Sequence, residues 1–162
     1  MTRIVPTFLA LAVLAGAQQA SAQTAPADIV KARQDAMESL WRDHYKAVAA
    51  TVRSDKPDLT LVATNSAKAT ETLQKLATLF PPGTGRDAVP TTRAKPEIWS
   101  DRKEFEGNLT ALMDASKALT TDAKAGNVEK VKADWTNLAK ACGGCHGGPT
   151  KSGGKFRFEK EG

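Results

Sequence analysis

Near the C-terminus of this chain stand Cys142-Gly143-Gly144-Cys145-His146, which hold both of its cysteines. A thiol pair at this spacing can close a disulfide, hold a zinc ion, shuttle redox equivalents or anchor a haem. A disulfide across so short a loop would contribute little. A zinc site needs further soft ligands, and the only other histidine is His44. A thioredoxin-like pair needs a strand–helix context, and no stretch alternates with period two for long enough to make a strand. Haem attachment needs what is present. On a helix, positions i and i+3 face one side, so both sulfurs can reach the two vinyl groups along one haem edge. His146, at i+4 from Cys142, can stand under the iron as proximal ligand. Gly143 and Gly144 add no side chains to crowd the porphyrin. The pattern predicts one covalent haem c per chain, held by Cys142, Cys145 and His146.

These residues need a scaffold, and the mature chain reads as four helices. Pro26 and Asp28 open the first, with Ile29, Val30, Met37, Leu40, Trp41, Val48 and Val52 at helical spacing up to Pro57. The second runs from about Asp58 to Phe80 and ends at Pro81-Pro82-Gly83. Residues 81–96 hold four prolines and no periodic pattern, a long connection of the kind that often carries function. Pro96 opens the third helix, with Ile98, Trp99, Phe105, Leu109, Leu112 and Leu119. Gly126-Asn127 separates it from the fourth, which carries Val128, Val131, Trp135, Leu138 and Cys142 and should stop soon after His146. Four amphipathic helices of similar length predict an all-α fold, an antiparallel four-helix bundle.

The first 22 residues stand apart. Arg3, the apolar run Phe8 to Ala17 and the small residues Ala20-Ser21-Ala22 make a secretory signal, with a mature domain over 23–162. The apolar run is too short for a membrane anchor. Losing Arg3, and no acidic residue, takes the formal charge from +5 to +4. Export places the protein in the periplasm, where c-type attachment takes place. The charge is spread, with no basic block that would argue for nucleic acid. A mild positive excess suits an acidic redox partner, and an evenly mixed surface explains it equally well.

A four-helix bundle with its haem motif near the end resembles the class II cytochromes c, the cytochrome c' family. Val30-Lys31-Ala32-Arg33-Gln34, Phe80-Pro81-Pro82-Gly83-Thr84 and Lys95-Pro96-Glu97-Ile98-Trp99-Ser100-Asp101 resemble the family's first helix, second turn and third helix in that order. The resemblance spans nearly all of 27–146. It implies that Arg33 and Gln34 lie near the haem propionates, where a guanidinium can pair with a carboxylate; a solvated Arg33 on the helix face is the plainer alternative. The family continues from the haem histidine, after two residues, into an aromatic-Arg pair. Here 147–155 intervene before Phe156-Arg157.

At the family's distal position, where high-spin members often carry Leu or Phe, this chain has Met37. Low-spin members ligate iron with a methionine there. Met37 and Met113 are the only methionines left after signal removal. Met113, beside Leu112, reads as packing. Met37 lies on the inward stripe with Val30, Trp41, His44 and Val48, although methionine often only fills a core. His44 lies two turns beyond Met37, about 10 Å along the axis, too far to replace it. Trp41, Trp99 and Trp135 read most simply as core aromatics; any of them could touch the haem, and the sequence does not choose among them.

With Met37 ligated, the haem is six-coordinate and suits one-electron transfer to periplasmic or membrane-bound redox proteins. With Met37 only packing, the iron is five-coordinate and could take NO or CO. The sequence offers no acid–base pair or nucleophile triad for an enzyme. The resemblance also implies a homodimer through the first two helices.

Overall fold

The computed structural model describes residues 24–147 and 153–158. The expected signal sequence lies outside the described residues. Among those described, regular structure is helical; the sole pairing of β type is an isolated bridge between Ala94 and Arg157. The expected bundle is present, with its first and third members each divided.

The first helix begins as α1, Pro26–Ser39, and continues through a π-helical turn, Leu40–Tyr45, into α2, Lys46–Val52. Pro26 sits at the first helical position, where its missing N–H costs nothing. α3, Leu59–Ala77, is capped by Asp58, whose carboxylate accepts from the Leu61 N–H at 2.9 Å. It ends three residues short of Phe80. A single turn α4, Glu97–Ser100, precedes α5, Arg102–Lys124. The third helix is therefore broken at Asp101, whose backbone leaves the helical region at φ −119°, ψ 49°. α6, Val128–His146, is capped by the Asn127 side chain and stops at Gly147, where φ is +83°.

α5 packs chiefly against α3 and α6. The core between them holds Leu73, Leu76, Leu119, Val131 and Leu138, each almost fully buried. Tyr45 carries a hydroxyl into this core and donates to Ser116 at 2.9 Å; Ser116 donates in turn to the Ser66 carbonyl.

The π-turn alters the face that the first helix presents. In an α-helix, Trp41 and Tyr45 would share a face. In a π-turn the alignment passes to i and i+5, and Lys46 N–H bonds back to the Trp41 carbonyl. Leu40 and Tyr45 are both buried, while Trp41 is 57% exposed. Trp41 is thus parted from that buried pair, and His44 is half-buried against α3. Its Nε2 sits 3.3 Å from the Thr72 hydroxyl of α3.

Candidate haem site

A cavity of about 620 Å³ opens between α1, α5 and α6, within the range of cofactor sites. Its lining is mostly apolar, including Phe80, Ile98, Phe105, Leu109 and Leu112. Cys142, Cys145 and His146 enter from α6, and Arg33, Gln34 and Met37 from α1. All six residues singled out in the sequence thus meet at one cavity. Met113 and His44 are not part of its wall.

The cysteines form no disulfide. Burial, and then the neighbouring Cys142, pushes the Cys145 thiol up to about 11, so it stays protonated. The protonated S–H is the group that adds across a vinyl double bond. A Cβ at Gly144 would lie 2.5 Å from Oδ1 of Asn108 on α5, so a larger residue there would displace the Asn108 side chain.

His146 is held neutral. Burial, with the charges of Arg157 and Arg93 beside it, pushes its pKa down to about 4. A metal ligand needs that unprotonated lone pair. Arg157 Nη1 lies 3.3 Å from its Nδ1. The chain therefore returns to His146 after the residues inserted at 147–155. Phe156 N–H bonds to the Cys145 carbonyl, Lys95 N–H to the Phe156 carbonyl and Phe158 N–H to the Arg93 carbonyl. Phe156 is buried and meets Phe105 edge-on, with ring centroids 5.4 Å apart. Gly147 and Gly154 permit the return, because a Cβ on either would collide with the facing backbone.

Arg33 is buried, not solvated. Its Nε donates to the Leu79 carbonyl at 3.0 Å and its Nη2 to the Thr84 hydroxyl at 2.7 Å. Its guanidinium lies 4.3 Å from the centre of the Phe80 ring. Burial lowers its pKa to about 10, so it stays charged at neutral pH. Its Nη1 is buried with no partner among the described residues. An unpaired cationic N–H on the wall of an apolar cavity fits a ligand carboxylate, which a haem propionate supplies.

Sequence reading missed Thr84, Thr92, Arg93 and Tyr45. Thr84, Thr92 and Arg93 lie in the 81–96 connection, signalled by its length and, for Thr84, by the resemblance over Phe80 to Thr84. Trp99 fastens that connection by donating to the Pro81 carbonyl at 3.0 Å.

Fold and site together define a four-helix protein built for covalent haem at the end of its last helix. The sequence profile of Cytochrome C' matches residues 28–148, and the chain belongs to that family. Cytochrome c' of Rubrivivax gelatinosus is 34% identical over 122 residues, 75% of this chain and 92% of that relative. The crystal structure of cytochrome c' from Rubrivivax gelatinosus superposes with a TM-score of 0.70 at 31% identity, covering 83% of this chain and 98% of that one. A nitric oxide complex of a cytochrome c prime mutant from Alcaligenes xylosoxidans gives a TM-score of 0.68 at 28% identity, covering 77% and 95%. The protein carries one covalent haem c per chain.

Proposed function

We propose that this protein carries single electrons, with its haem held between His146 and Met37. The observation behind this reading is that the Met37 side chain lines the same cavity as His146, from a different helix. Cys142 and Cys145 would tether the haem edge, and Arg33, with Gln34 at the rim, would meet its propionates. Bound there, the haem supplies an iron that cycles between the ferrous and ferric states. The chain's own part is to fix both axial groups on helices, keep His146 neutral and surround the site with apolar side chains. A thioether is a soft ligand that favours ferrous iron.

A second reading has a specific observation in its favour: a solved relative holds nitric oxide. The comparisons weigh toward that reading. Met37, a residue of this chain, weighs toward the first. In the second reading Met37 only packs and the haem takes NO or CO on the α1 side. In neither reading does the chain act as an enzyme in the ordinary sense.

Optical spectra of the oxidised and reduced protein, with and without CO, separate the two. Electron transfer predicts a low-spin spectrum that CO leaves unchanged. A high-spin spectrum with ready CO binding would establish the second reading. We further propose export through the 1–22 segment, with periplasmic or membrane-bound redox proteins as partners. Detection of intact Met1 in a cytoplasmic holo-protein would overturn the export proposal.

A further inference from the structure

Trp41 is the one exposed large hydrophobic side chain among the described residues, at 57%. It also lies on the wall of the haem cavity. The π-turn over Leu40–Tyr45 brings Leu40 and Tyr45 into line on the buried face and turns Trp41 off that face. The polar neighbours are committed outward. Arg42 pairs with Glu38 at 2.7 Å and with Asp43 at 2.8 Å, both on the exposed surface. Trp41 is left at the cavity mouth, one turn beyond Met37.

We infer that Trp41 packs its indole against the haem at the mouth of the cavity and restricts access to the face that α1 covers. A flat apolar ring and a flat apolar macrocycle bury surface that each would otherwise show to water. A π-turn is rare and is found frequently at functional sites. The inference rests on covalent haem binding and holds whether or not Met37 ligates iron.

The test is radiolytic hydroxyl-radical footprinting of the holoprotein, with labelling read by peptide mass spectrometry. Trp135, half-buried beside Tyr45 with ring centroids 6.1 Å apart, is the internal standard. Trp41 should be labelled no faster than Trp135. Labelling of Trp41 severalfold faster, in chains whose mass shows attached haem, would overturn the contact. Absence of attached haem would instead count against the site itself. The gating role is read in a Met37→Leu background, where the α1 face is open to CO. There Trp41→Ala should speed CO association to the ferrous protein severalfold, and Trp41→Phe should stay near the parent rate. Equal rates for the parent and Trp41→Ala would overturn the gate.

Discussion

The guanidinium of Arg157 stands 3.3 Å from Nδ1 of His146, across an excursion of the chain that begins at Gly147. Haem-ligating histidines commonly turn Nδ1–H toward an acceptor, which strengthens the ring as a donor. A cation at that position would do the opposite and withdraw electron density from a bond between His146 and iron. It also disfavours the more positive ferric iron. Arg157→Ala should therefore lower the reduction potential, by on the order of tens of millivolts. Redox titration of the purified holoprotein measures it, and an unchanged or raised potential would contradict the argument.

The attachment chemistry gives a second outcome. Cys142→Ala combined with Cys145→Ala should leave haem that acidic organic solvent extracts, whereas the unaltered protein keeps it. His146→Ala should yield little folded holoprotein, because a haem held by His146 would fill the cavity between three helices. Normal helicity and a cooperative melt in that variant would show that the bundle does not depend on the haem.

The C-terminal return should be structural as well as electrostatic. Phe156 is 2% exposed and packs between Phe105 and the Cys145 backbone. Phe156→Ala should cost about 3–5 kcal/mol, the usual loss for a buried phenylalanine. Urea denaturation followed by circular dichroism reads it. A change under about 1 kcal/mol would mean that the tail merely rests on the bundle.

The contrast between Cys145 and Arg157 shows what was legible in the sequence. The haem motif is local: three side chains on one helical turn, so spacing alone fixed their geometry. Met37 was legible because helical periodicity placed it inward. The helix boundaries followed from Asp58, Asn127 and Gly147, whose capping chemistry is also local. Trp41 stayed undecided between core and haem contact, because the π-turn that parts it from Tyr45 leaves no mark in residue type. The burial of Arg33 was hidden because its partners, Leu79 and Thr84, lie far along the chain. The Arg157 contact needed a return whose path is set by the Gly147 and Gly154 backbone, not by periodicity.

Asp134 supplies a pH dependence away from the haem. Burial, then hydrogen bonding and repulsion from Asp122, raises its pKa above the ordinary 3.8, and its Oδ2 is buried without a partner. The folded state therefore binds this proton more tightly than the unfolded one. Stability from this group is full below the unfolded value and lost as pH rises through the folded value. Asp134→Asn should raise Tm at pH 7, and the gain should vanish on acidification toward 3.8. Thermal melts across that range test the sign; a gain that grows in acid would reverse it.

Met37 decides between the two functions. Met37 lines the cavity that His146 enters, and its side chain is partly buried against the core. Leucine has nearly the same volume and no donor atom. Met37→Leu should keep the fold, since volume-conserving apolar swaps cost less than about 1.5 kcal/mol. With sulfur ligation in the parent, the variant should become high-spin and five-coordinate, with a lower reduction potential and an open face for CO and NO. Met113→Leu, away from the cavity wall, should change none of these. The oxidised parent should show the weak red charge-transfer band of iron–sulfur ligation, and Met37→Leu should lose it. A parent that is already high-spin, binds CO readily and looks the same after Met37→Leu would make Met37 a packing residue and this protein a gas-binding cytochrome c'.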